Sequence, residues 1–105
     1  MEVEPVKASA AVSHILVETE DEATRLKLEV LAGADFSDLA GEHSTCGSRS
    51  TGGVLGVVMP GQMVPEFDEV VWTCEPGVVQ GPVKTQFGYH LILVTERSGG
   101  ERGAP

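Results

Sequence analysis

Near its C-terminal end the chain reads GYHLILVTE from Gly88 to Glu96, where a period of two places His90, Ile92 and Val94 on one face and Tyr89, Leu91 and Leu93 on the other. A strand apolar on both faces leaves neither side to water, so it needs cover above and below. The segment AVSHILV, residues 11–17, has the same character, with Val12, His14 and Leu16 alternating against Ser13, Ile15 and Val17. Two such strands at opposite ends of one chain, with helices between them, predict an α+β domain whose first and last strands are central neighbours. His14 and His90 can then meet mid-sheet. Two buried imidazoles satisfy each other only as donor and acceptor in matched tautomers, so such a pair is neutral and oriented.

The chain between them supplies the helices. Thr19 followed by Glu22 is a capping-box pattern, and Ala23, Leu26, Val30 and Leu31 then share one helical face until Gly33 stops it. Asp35 caps a second, short helix with Phe36, Leu39 and Ala40 inward, ending near His43. STCGSRSTGG, residues 44–53, is dense in Ser, Thr and Gly and reads as a long irregular loop of the kind that carries function on a rigid scaffold. VLGVV is a second strand and MPGQMVP a turn. Pro65 then opens a helix whose apolar stripe is Phe67, Val70 and Val71, before Pro76 and Gly77. A short extended piece, Val78 to Val83, precedes the last strand. The folded unit is expected over 10–97, between flexible tails at 1–9 and 98–105.

Length and charge exclude several function classes. One hundred and five residues, 41% of them hydrophobic, suit a single domain with a real core. Sixteen acidic residues against seven basic ones leave a formal charge of −9, which repels phosphate backbones and anionic bilayers, so neither nucleic acid nor membrane is expected as a partner. No apolar run approaches the roughly 18 residues of a spanning helix, and MEVEPVKASA lacks the basic and apolar regions of a secretory signal. Cys46 and Cys74 make no disulfide framework and no C-x-x-C, which points to a soluble protein of a reducing, cytoplasmic compartment.

SHILV, GADFSDLAGEHSTC, GGVLG, GQMVPEFDEVVW and GPVKTQFGYHLILV follow one another in the order and approximate spacing of the parvulin-type peptidyl-prolyl isomerases, and the resemblance spans residues 11–96. It implies a parvulin-like (FKBP-like) four-stranded antiparallel sheet surrounded by about four helices, in the order β-α-α-α-β-α-β-β, with a shallow groove for an X-Pro peptide and no cofactor or metal. Carried over residue by residue, it implies His14, Cys46 and His90 as the catalytic set, the histidines paired beneath the groove and the cysteine at its floor. Leu55, Met63 and Phe67 match the apolar walls of the proline pocket, and Thr85 and Phe87 match positions that buttress the histidines and line the groove. The implied partners are X-Pro-containing peptides and unfolded proteins. They would be turned over by a monomer similar to the minimal, single-domain members.

Two places depart from the family pattern. Parvulins directed at phosphorylated serine or threonine carry a basic loop after the first strand; here it reads VETEDEAT, which repels phosphate where recognition needs arginines, so an unphosphorylated substrate is expected. GGVLG has Val54 where many relatives carry an aspartate, and GVV lacks the aromatic often found after the last glycine. Other readings stay open at this level. Each histidine taken alone suits a satisfied core residue; Cys46 with a histidine is the skeleton of a cysteine hydrolase, without a recognisable oxyanion hole; and Cys46, His14 and His90 together would be a minimal zinc set. The same groove would also serve a binding module or chaperone that holds X-Pro segments without turning them over. Trp72 and Cys74 read as packing, and His43 as a solvated helix end.

Overall fold

The structure, a computed structural model, describes residues 8–98. In chain order it contains β1 (Ser9–Val17), α1 (Glu20–Leu31), α2 (Phe36–His43), one stretch of 3-10 helix (Gly47–Thr51), β2 (Val54–Val58), α3 (Pro65–Thr73), β3 (Gln80–Thr85) and β4 (Gly88–Ser98). The sheet has four strands in the order β2-β1-β4-β3, every neighbouring pair antiparallel. The first and last strands are therefore central neighbours, as their two-faced apolar pattern requires.

Each face has its own cover. On one, Ile15, Val17 and Leu91 pack against Ala23 and Leu26 of α1 and Phe36, Leu39 and Ala40 of α2. On the other, Ala10, Val12, Val58, Ile92 and Val94 pack against Phe67 and Val71 of α3, with Cys74 beside them. Burying a side chain such as Leu26 or Leu91 is worth about 1.5–3 kcal/mol, and neither face can lose its helices without exposing the strand beneath. The helices start where the sequence places them. Thr19 Oγ1 accepts from the Glu22 backbone N–H at 3.2 Å, the Asp35 carboxylate accepts from the Asp38 N–H at 3.1 Å, and Pro65 occupies the first turn of α3.

Three details differ from the expectation. The third helix of the implied order is a single 3-10 stretch inside the Ser/Thr/Gly-rich segment, which has no apolar stripe to bury as an α-helix. Leu31 is 63% exposed although placed on the inward face of α1; five residues beyond Leu26 it lies roughly 140° around the helix, outside the buried stripe. The expected tails fall outside the described residues except at Ala8, Ser9 and Ser98, and the last two are paired strand, their hydroxyl oxygens 3.3 Å apart. Among the described residues no helix is long and apolar enough to cross a membrane.

Two glycines bind the fold to the histidines. Gly53, at φ +85°, and Gly81, at φ +122°, lie so close to the central strands that a Cβ on either would stand 2.5 Å from a backbone oxygen, that of His14 for Gly53 and that of His90 for Gly81. His14 also donates its backbone N–H to the Gly53 carbonyl at 2.9 Å. Gly56 shares the positive φ, +91°, but stands in open space. Gly56→Ala should therefore lower the melting temperature by about 5 °C, from backbone strain alone, and Gly53→Ala by roughly twice that or more. Equal shifts in a thermal melt would show that the close approach at His14 carries no extra cost.

Candidate active site at the paired histidines

The β1–β4 register pairs His14 with Ile92 and Leu16 with His90, so the two imidazoles stand diagonally across neighbouring strands, on the face covered by α3. Their Nδ1 atoms are 3.0 Å apart and their ring planes 24° from parallel. Thr85, at the end of β3, places Oγ1 2.8 Å from His90 Nε2, and the same oxygen accepts the Phe87 backbone N–H at 3.1 Å. Both histidines are 4% exposed and Thr85 6%.

These contacts assign the protons. Thr85 Oγ1 already accepts from Phe87, and His90 Nε2 is the one acceptor among the described residues within reach of its hydroxyl hydrogen, so Thr85 donates to His90. His90 then carries its own proton on Nδ1 and donates it to His14 Nδ1. His14 is left with its proton on Nε2, a buried donor without a partner among the described residues. The reverse arrangement would leave the threonine hydrogen unpaired as well. A buried donor without an acceptor costs roughly 1–3 kcal/mol.

Burial makes the pair neutral. Desolvation, reinforced by the neighbouring His90, lowers the His14 pKa from 6.5 to about 4, and desolvation lowers that of His90. Because the folded value lies below the unfolded one, the unfolded chain binds more protons between pH 6.5 and 4, so the stability linked to His14 is full above pH 6.5 and is lost as pH falls toward 4. The swing is on the order of 3 kcal/mol. The His14 ring resonances should accordingly keep their neutral positions down to about pH 5 in an NMR titration, while denaturant stability declines over the same range. A His14 midpoint at 6.5 or above would contradict the buried, neutral pair.

Of the other residues singled out in the sequence, Phe67 is the one in contact with both rings among the described residues. Phe67 lies edge-on to both rings, its centroid 5.7 Å from that of His14 and 5.3 Å from that of His90, and it is 1% exposed. It caps the imidazoles instead of lying open to solvent. Leu55 and Met63 are partly buried against the cluster that contains Phe67, whereas Phe87, in the turn between β3 and β4, is 60% exposed. Cys46 is partly buried at the start of the 3-10 stretch, and its thiol makes no hydrogen bond among the described residues. Nor do any three of His, Cys, Asp and Glu among them group as metal ligands.

One residue that sequence reasoning missed is Ser44. It is 1% exposed, and its Oγ accepts the Leu16 N–H at 3.0 Å and the Cys46 N–H at 3.3 Å, while the Thr45 N–H donates to the Leu16 carbonyl at 2.7 Å. The loop carrying Cys46 is thereby clamped to β1 at Leu16, the residue paired with His90. A serine directly after a helix and before a loop is the one signal that could have pointed to it.

Comparison with known proteins agrees with this architecture. A family profile described as "Rotamase: PPIC-type PPIASE domain" matches residues 5–96. The foldase protein PrsA of Geobacillus kaustophilus is 47% identical over 92 residues, a match covering 87% of this chain and 33% of that protein. The crystal structure of the peptidylprolyl isomerase PrsA from Bacillus anthracis superposes with a TM-score of 0.85 at 35% identity, covering 91% of this chain and 45% of that one. The solution structure of NmPin, the parvulin of Nitrosopumilus maritimus, gives 0.78 at 34% identity, covering 89% of this chain and 100% of the other. The chain spans about a third of the length of the curated PrsA relative it matches. With a profile across most of its length, a shared sheet and a buried histidine pair, the chain belongs to the PPIC-type peptidyl-prolyl cis/trans isomerases, the parvulins.

Proposed function

We propose that this chain accelerates rotation about X-Pro peptide bonds in unphosphorylated, extended or partly unfolded polypeptides, by a non-covalent mechanism and as a monomer. The observation that carries the reading is the neutral histidine pair held beneath Phe67, with Met63 and Leu55 alongside. An X-Pro amide resists rotation by roughly 18–20 kcal/mol because the nitrogen lone pair is shared with the carbonyl. Nothing need be broken to lower that barrier. Apolar walls that grip the pyrrolidine ring fix the pivot while the acyl side turns, and a surrounding poor in water disfavours the charge-separated resonance form. A rate gain of roughly 10⁴–10⁶ asks for about 5–8 kcal/mol, which several apolar contacts and one or two hydrogen bonds can supply.

The charges beside the site suit an unphosphorylated substrate. β1 runs directly into Glu18, Glu20, Asp21 and Glu22, where arginines would be needed to hold a phosphate. Cys46 acts through the polarity of the groove floor and not as a nucleophile: its thiol has no hydrogen-bonded base among the described residues. The foldase named above supports a role in folding. The sheet edges favour a monomer, since β3 carries Pro82 and Lys84 and the β1–β2 pairing is irregular between Val12 and Ser13.

Exchange spectroscopy on a short Ala-Ala-Pro-Phe-type peptide tests the proposal. The protein should accelerate cis/trans exchange, Met63→Ala should lower kcat/KM by roughly 10- to 100-fold, and Cys46→Ser should keep appreciable activity. Peptide resonances that shift on titration while exchange stays at the uncatalysed rate would make the groove a binding module instead. Complete loss in Cys46→Ser would restore a covalent role.

A further inference from the structure

We infer that Asp68 is a positioning residue for the proline pocket, its carboxylate fixing the turn that carries Met63; the inference rests on Met63 being a wall of that pocket. Asp68 follows Phe67 on α3, so where Phe67 faces the histidines, Asp68 faces the turn between β2 and α3. Its Oδ1 accepts the Gly61 backbone N–H at 3.1 Å and the Trp72 indole N–H at 3.0 Å. Beyond the packing of Met63 and Val64 on the core, the turn has few other hydrogen bonds among the described residues. The Gln62 N–H donates to the Met59 carbonyl at 3.2 Å, the Gln62 side-chain oxygen accepts the Met59 N–H at 2.8 Å, and Gly61, at φ +87°, lets the backbone reverse.

The two hydrogen bonds between Met59 and Gln62 close the turn upon itself and do not attach it to the rest of the domain. The Gly61–Asp68 bond does, and it spans the point at which Met63 leaves the turn toward α3. Phe67 and Asp68 thus act from adjacent residues of one helix: Phe67 by packing on the imidazoles, Asp68 by tethering the turn that holds Met63. The Trp72 bond lies within α3, four residues along, and does not touch the turn. An acidic residue in the first turn of a helix is ordinarily explained by the helix dipole. Two N–H donors converging on one oxygen, one from outside the helix, assign this one a further task.

The test reads peptide affinity by NMR titration, KM and kcat by exchange, and Gly61 amide hydrogen exchange. Asp68→Ala should weaken peptide binding and raise KM about tenfold, leave kcat within about threefold, and speed Gly61 exchange at least tenfold. Asp68→Asn, which keeps an acceptor oxygen at the same place, should restore all three to within about threefold. Trp72→Phe, which removes the bond inside α3 and part of the ring's packing but leaves the Gly61 bond, should lower the melting temperature and keep affinity within about threefold. If Asp68→Ala folds poorly, Asp68→Glu carries the test, because it keeps the charge and shifts the acceptor by one methylene, and affinity should still fall. Wild-type affinity with a protected Gly61 amide in a folded Asp68→Ala or Asp68→Glu variant would overturn the assignment, as would an Asp68→Asn variant as weak as Asp68→Ala. A wild-type protein that binds peptide without accelerating exchange would sink the isomerase reading alone, since affinity and amide exchange still report on Asp68.

Discussion

The antiparallel ladder between β1 and β4 runs from Ser9 opposite Ser98 to Val17 opposite Tyr89, and it brings together two imidazoles 76 residues apart in sequence at a separation of 3.0 Å. Both strands are apolar on both sides, so the ladder has to sit mid-sheet, with α1 and α2 on one face and α3 on the other. The ladder also fixes what each histidine faces. Side chains alternate along a strand, and a slip of one residue would turn His90 toward the apolar cluster beneath α1 and α2 and away from Thr85.

From that constraint the site's chemistry follows by exclusion. An imidazolium pair could not be held with Nδ1 facing Nδ1, and burial has already lowered both pKa values, so the rings are neutral and share one proton between the facing nitrogens. Thr85 ends the chain of donors at one side, Phe67 closes it from above, and Gly53 and Gly81 allow neighbouring backbone to press against the carbonyls of the two histidines. A rigid, uncharged floor of this kind suits rotation about an amide, a reaction that needs the twisted form held better than the planar one and calls for no acid, base or nucleophile.

The central strands, the caps of α1 and α2, the start of α3 and the meeting of His14 with His90 were all legible in the sequence, because period-two alternation, Ser/Thr/Asp caps and proline at a helix start are local signals. The expected groove residues were named only through family resemblance. Nothing local distinguishes Met63 or Phe67 from an ordinary core stripe, and Phe67 is in fact as buried as one. Ser44 and Asp68 were invisible for a different reason. Each acts by accepting backbone N–H groups from another segment, Leu16 for Ser44 and Gly61 for Asp68, and such pairings exist only once the chain has folded. Leu31 shows the limit of helical periodicity, since a residue assigned to the apolar face lies outside the stripe that the sheet buries.

The tautomers of the two histidines test the account most directly. Long-range nitrogen–proton correlation spectra of the labelled protein at pH 7 should show His90 protonated on Nδ1 and His14 protonated on Nε2, both neutral, with the Thr85 hydroxyl donating to His90. Two rings each protonated on Nε2, or an imidazolium signature on either, would contradict it, for the facing nitrogens would then share no proton and the site's neutrality and orientation would need another cause.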